Sequence, residues 1–170
     1  MSDMLCKAQE MTEKAASFYQ DAMDACHDAL GAEFFKWLAE EKGRLAARMQ
    51  EIGAKLGAGS SWGDACTLPD EASAGAVIDF RNKAAGRVVS GQACMAEVEA
   101  LKTASEMEST IAGFYQSQLP SASEAVEKEF LEYMLGETRQ HVLLVEDMLA
   151  YYEDPAAWAS GMGRGELDGA

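Results

Sequence analysis

The 170-residue sequence is poor in proline and histidine, and its four cysteines are widely separated. With only three prolines, the chain has long stretches in which a helix can run without interruption. No two cysteines form a C-x-x-C pair, which excludes an iron or zinc site built from paired cysteines. Two histidines and the lack of any Ser-His-Asp or Cys-His arrangement leave few options for acid–base or nucleophilic catalysis.

Basic residues are also scarce. The chain has 14 Lys and Arg residues against 29 Asp and Glu residues, and its formal net charge is −15. Because nucleic acids and anionic membranes are bound through positive charge, both are set aside as partners. No apolar run reaches the roughly eighteen residues of a membrane span, and the first residues lack the basic and apolar segments of a secretory signal. We therefore expect a cytoplasmic protein with reduced cysteines.

The residues that are abundant favour helices. Alanine, leucine, methionine and glutamate dominate, and 48% of the residues are hydrophobic, which excludes a disordered chain. The length suits one domain with a sizeable core. The composition therefore predicts a single all-α domain over residues 1–170.

An internal repeat organises the chain. Residues 8–20 align without gaps with residues 104–116 at an offset of 96, and seven of the thirteen pairs are identical. In the same register Glu41 aligns with Glu137. A shared register over some forty residues predicts a duplicated helical hairpin.

Helix signals place the boundaries of the two hairpins. We predict hairpin 1 at about 4–56, a crossover at about 57–89, hairpin 2 at about 90–152, and a C-terminal tail at 153–170. Within these segments we predict a helix break at Pro120, a capping box at 121–124, a loop at 57–64, and a short helix at about 70–88.

One helix carries a recognisable string of residues. Ala104-Ser105-Glu106-Met107-Glu108, followed by Phe114-Tyr115, resembles the first metal-bearing helix of the rubrerythrin-like branch of the ferritin-like superfamily. The tail, with Pro155, Trp158 and residues 166–169, is similar to C-terminal ends in that branch. The resemblance implies a ferritin-like four-helix bundle whose hairpins are joined by a long crossover. It also implies a homodimer, with apolar contact supplied by the aromatic-rich stretch 151–158.

The resemblance further implies a di-iron centre with six inward ligands, one Glu from each of two helices and a Glu-x-x-His pair from each of the other two. Carried over residue by residue, those positions are Thr12, Glu108, Lys42, Leu45, Thr138 and His141. Of these, Glu108 and His141 alone keep a ligand, which is too few to hold two iron ions. The sequence therefore predicts a degenerate di-iron site.

A shifted metal site is an alternative. Glu41 and Glu137 lie one residue from the degenerate positions, and Glu137 is one helical turn from His141. A remnant site for iron or zinc would then use Glu41, Glu108, Glu137 and His141. Helical spacing, however, places Glu41 and Glu137 at the edge of the apolar stripe.

Lys42 lies on that apolar stripe, where its ammonium can replace the lost cations. We expect it to point towards Glu108 and to neutralise that carboxylate. The alternative is a lysine whose stem packs while its head reaches solvent. His141 is expected to be a core imidazole bonded to Glu137 or Glu108 rather than a ligand.

Three functions remain open. The first is a ferritin-like protein that has lost di-iron binding, needs no cofactor, and serves as a structural or interaction module with a further protein partner. The second is an oxidoreductase that acts on peroxide or oxygen through a non-standard iron or zinc site. The third is a protein that binds a small molecule in the cavity left by the metals.

Overall fold

The computed structural model describes residues 3–68, 74–86 and 95–165, and these form helices and short connections without a strand. The predicted all-α class is therefore confirmed for this part of the chain. The helices are α1 (Asp3–Ala25), α2 (Ala29–Gly57), α3 (Trp62–Ala65), α4 (Ala74–Ala85), α5 (Met95–Gln118), α6 (Ala125–Glu153) and α7 (Pro155–Gly165), with a 3₁₀ turn at Leu119–Ser121. No helix among the described residues is both long and apolar enough to cross a membrane.

The starts of α2 and α6 have local causes. Asp28 caps α2, because its Oδ2 accepts hydrogen bonds from the backbone N–H groups of Leu30 and Gly31, both at 3.0 Å. Before α6, Pro120 lies in the 3₁₀ turn. The cap of α6 differs from the predicted box at 121–124, since Glu124 makes no side-chain cap bond there. Instead Glu127 reaches back and accepts from the backbone N–H of Ser123 at 2.8 Å.

Two predicted irregular segments contain helices. The predicted loop at 57–64 overlaps α3, which Ser61 caps by accepting from the backbone N–H of Asp64. The predicted tail at 153–170 contains α7. Pro155 ends α6 but is also a favourable first residue of the next helix, and Asp154 caps it by accepting from the backbone N–H of Ala157 at 2.9 Å. Within the described residues, the predicted crossover helix at about 70–88 corresponds to α4. The expected start of hairpin 2 at 90 and residues 166–169 lie outside the described residues.

The long helices pack in two pairs. α1 packs along α2, α5 packs along α6, and α1 also contacts α5. α6 begins and ends 96 residues after α2, so the two helices have equal length and the offset of the sequence repeat. Buried positions also recur at this offset, as with Leu5 and Leu101 or Tyr19 and Tyr115. The core lies along the seams between these helices.

The two peripheral helices are held against α6 through one carboxylate. Arg81 of α4 donates to both oxygens of Asp147, at 3.0 and 2.9 Å. The Trp158 indole of α7 donates to the same carboxylate at 3.3 Å. α4 is further fixed by Phe80, whose buried ring packs edge-on against Phe34 of α2.

Candidate functional site

Four helices contribute one side chain each to a buried polar cluster. Tyr19 of α1, Lys42 of α2, Glu108 of α5 and His141 of α6 are all at most 1% exposed. Helical spacing explains the burial of the charged pair. Lys42 follows buried Leu38 by one turn on α2, and Glu108 likewise follows buried residues on α5, so both lie on the faces that the helices turn inward.

Both oxygens of Glu108 accept strong hydrogen bonds. The Tyr19 hydroxyl donates to Oε1 at 2.6 Å, and the Lys42 ammonium donates to Oε2 at 2.7 Å. Charge-assisted bonds of this length are among the stronger ones in proteins. The side chain of Lys42 is only 2% exposed, so its head does not reach solvent. The structure therefore has the expected pairing of Lys42 with Glu108 and not the alternative in which the lysine escapes to water.

The electrostatics keep Glu108 ionised. Burial is the largest single influence and raises the pKa of Glu108, but the charge of Lys42, the influence of His141 and the hydrogen bond from Lys42 together outweigh it and lower that pKa to about 2. Burial and the neighbouring Glu108 charge raise the pKa of Tyr19 well above its usual range. At neutral pH Glu108 is thus a carboxylate, and Tyr19 is a neutral phenol that serves as a hydrogen-bond donor.

His141 lies against this pair without bonding to it. Its Nδ1 is 3.8 Å from Oε2 of Glu108, which is too long for a hydrogen bond, and neither ring nitrogen has a hydrogen-bond partner in the described part of the chain. The expected bond to Glu137 or Glu108 is therefore absent, because Lys42 occupies the Glu108 oxygen that His141 faces. Burial, and then the charge of Lys42, lower the pKa of His141, so the imidazole is neutral.

The remaining positions carried over from the metal-bearing family offer poor donors. The hydroxyls of Thr12 and Thr138 each donate to a carbonyl one turn back in their own helix, at 2.9 and 2.8 Å. Leu45 is a buried apolar side chain. An ammonium has no lone pair with which to bind a cation. This donor set does not fit a di-iron centre.

Of the four residues expected in a shifted site, the structure brings Glu108 and His141 close together. Glu137 is also buried, and its charge acts on His141. Glu41 instead forms an ion pair with Arg44 at the surface of α2. Within residues 3–68, 74–86 and 95–165, no group of three or more His, Cys, Asp or Glu side chains is placed to hold a metal ion. A shifted site for iron or zinc stays a prediction.

A second polar cluster, partly buried, was not predicted from the sequence. Glu97 of α5 accepts from the backbone N–H of Asp28 at 3.0 Å and from the Cys26 thiol at 3.3 Å. The Tyr152 hydroxyl donates to Asp28. Burial, reinforced by Glu97, raises the pKa of Cys26 to about 12, so the thiol stays protonated. Glu97 and Tyr152 come from distant helices, and no local sequence signal pairs them with Asp28.

The comparisons with known proteins add no relative. The chain matches no protein-family model, and searches of curated proteins and of solved structures find no match. We therefore infer function from the two polar clusters and the surface around them.

Proposed function

We propose that this chain is a rubrerythrin-like, ferritin-type four-helix bundle of two repeated hairpins that has exchanged its di-iron centre for a buried ion pair. It acts as a structural or interaction module rather than as an enzyme. The observation that carries this proposal is the 2.7 Å contact between Lys42 Nζ and Glu108 Oε2 at the place where four helices meet. The equal lengths of α2 and α6 and their offset of 96 residues support the repeated hairpin.

The replacement is chemically self-consistent. In a di-iron bundle the positive charge that balances inward carboxylates comes from the metals. Here one inward carboxylate remains among the carried-over positions, and one ammonium neutralises it. The hydroxyls of Thr12 and Thr138 donate to carbonyls of their own helices, so these side chains and the ion pair are satisfied without a bound metal ion. Such a bundle would interact with other molecules through its surface, and the chain carries a formal net charge of −15.

Elemental analysis of the purified protein tests the proposal, after expression with iron, zinc and manganese supplied. We expect well under one metal ion per chain. Stoichiometric iron with the absorption spectrum of a carboxylate-bridged pair would overturn it. Lys42→Glu should raise the metal content, because it adds a carboxylate beside Glu108 and His141. Lys36→Glu is the matched control, since it makes the same lysine-to-glutamate change on an exposed side chain of the same helix.

A metal-dependent oxidoreductase acting on peroxide or oxygen is the second candidate. The observation that favours it is His141, whose two nitrogens are buried and have no hydrogen-bond partner among the described residues. Iron or zinc bound with His141 and Glu108 would have to displace the ammonium of Lys42. Peroxide consumption that rises with added metal and is lost in His141→Phe would favour this candidate over the first.

We also propose that the protein forms a homodimer in the cytoplasm. The stretch 151–158 was expected to supply the apolar contact. Tyr151 is buried, and its ring packs edge-on against Trp158 at 5.2 Å between centroids, so much of that apolar surface is used within the chain. The dimer interface is therefore left unassigned.

A further inference from the structure

A groove of about 490 Å³ lies between α4 and α6. Its walls include Ile78 of α4 and Leu143 of α6, which are 62% and 54% exposed. These are the two large hydrophobic side chains that stand exposed in the described part of the chain, and they share one groove. Scattered exposed hydrophobic residues are ordinary, but their concentration in one concave surface marks a candidate binding site.

The packing of α4 fixes this exposure. Phe80 and Ala84 are one turn apart and buried, so they define the face that α4 turns towards α2. Ile78 precedes Phe80 by two residues and therefore projects from a different side of the helix. The bidentate pair of Arg81 with Asp147 holds α4 beside α6, and both side chains line the groove.

The groove has the dimensions of a helix-binding site. On α6, the lining residues Gln140, Leu143, Asp147 and Ala150 follow one another at spacings of three and four, and so form one stripe along the helix. Ten residues of helix extend over about 15 Å. A partner helix of about three turns, with apolar anchors at positions i, i+3 or i+4, and i+7, matches this length.

Charge selects the partner. Glu146 is exposed at the groove, whereas Arg81, the basic residue of the lining, is already paired with Asp147. The whole chain carries a net charge of −15. A second copy docked here would bring like charges together, which is unfavourable, whereas a cationic partner is attracted and steered.

We propose that the groove between α4 and α6 binds the apolar face of a basic amphipathic helix from a partner protein. This inference depends on the proposed role as an interaction module and names the chemistry of the partner. Ile78 and Leu143 are the apolar anchors on this chain, and Glu146 supplies charge at the edge.

The test uses two labelled peptides of about 18 residues, built from leucine and lysine in the same proportions. One places leucine at i, i+3, i+4 and i+7, and the other has the same residues scrambled so that no apolar face forms. Fluorescence anisotropy measures their binding to the full-length protein. We expect the amphipathic peptide to bind more tightly, and Leu143→Ser and Ile78→Ser each to weaken it about tenfold. Neither variant should change binding of the scrambled peptide.

Glu146→Gln should also weaken the amphipathic peptide, whereas Glu106→Gln, which makes the same charge change at an exposed position of α5, should not. Equal binding of both peptides, or no effect of Leu143→Ser, would overturn the inference. The inference would also be overturned if the protein is a dimer and Leu143→Ser converts it to a monomer, because the groove would then be covered by a second copy of the chain. The proposed metal-free centre is tested separately, by measuring the metal content of the purified protein.

Discussion

Replacing Lys42 with Met removes the charge beside Glu108 and leaves that carboxylate buried with one donor, the Tyr19 hydroxyl. At 2.7 Å and an effective dielectric constant of about 20, the attraction between the two charges is about 6 kcal/mol. Desolvating the two ions costs several kcal/mol each, so the intact pair contributes little net stability. Removing one partner leaves the desolvation cost of the other, and Lys42→Met should therefore lower the free energy of unfolding by about 3–5 kcal/mol.

The partner substitutions complete a double-mutant cycle. Glu108→Leu, the second single substitution of the cycle, should cost about 3–5 kcal/mol, because it leaves the ammonium buried without its partner. Glu108→Gln, which keeps an amide oxygen as acceptor, should cost an amount comparable to or smaller than that of Lys42→Met. Lys42→Met combined with Glu108→Leu should recover most of the loss, since no buried charge remains. The Tyr19 hydroxyl then lacks its acceptor, which leaves a residual cost of about 1–3 kcal/mol. Adding Tyr19→Phe should remove this remaining cost, because the hydroxyl that lacks an acceptor is then absent.

Urea unfolding at pH 7, followed by far-UV circular dichroism, measures these free energies. The control is Lys128→Met, which breaks the exposed pair of Lys128 with Glu132 at 3.6 Å and should cost almost nothing. If the costs of Lys42→Met and Glu108→Leu simply add, the two side chains are not coupled and the reasoning is refuted. A structure in which the Lys42 head reaches solvent would refute it equally.

Three further predictions follow from the fold. The free energy of unfolding should fall as the pH drops below about 6.5, because the pKa of His141 is lowered in the folded protein and the unfolded chain therefore takes up a proton first. A further loss of about 3 kcal/mol should follow between pH 4.5 and about 2, because Glu108 is protonated in that range only in the unfolded chain. Unfolding at a series of pH values measures both. Gly31→Ala should cost about 1–3 kcal/mol, since its methyl group would lie 2.7 Å from Cys26 Sγ and 2.9 Å from the Tyr152 hydroxyl oxygen; Gly43→Ala, with open space, is the control. Light scattering should give the mass of a dimer, and a monomer at high concentration would contradict that expectation.

Periodicity made the inward positions predictable. The stripe through Leu38, Lys42 and Leu45 follows from helical spacing, and burial of a lysine on such a stripe requires a charged partner. The all-α class was predictable from composition, because helix propensities sum over many residues.

Apart from the pairing of Lys42 with Glu108, the contacts between distant helices were not predictable. Glu97 and Tyr152 both contact Asp28 because the starts of α2 and α5 and the end of α6 come together, and no spacing in the sequence encodes that contact. The same holds for Arg81 and Asp147. The helix α7 was also missed, since residues 153–170 were predicted to be a tail although a proline such as Pro155 suits the first turn of a helix.

The central claim is that the cation beside Glu108 is the ammonium of Lys42. Proton–nitrogen correlation NMR of protein labelled at the lysine side chains tests it most directly. A buried, bonded ammonium should give a slowly exchanging Nζ–H signal that disappears in Lys42→Met and does not change when excess iron(II) or zinc(II) is added. A Lys42 signal that exchanges as fast as those of exposed lysines, or one that shifts in proportion to bound metal, would contradict the claim.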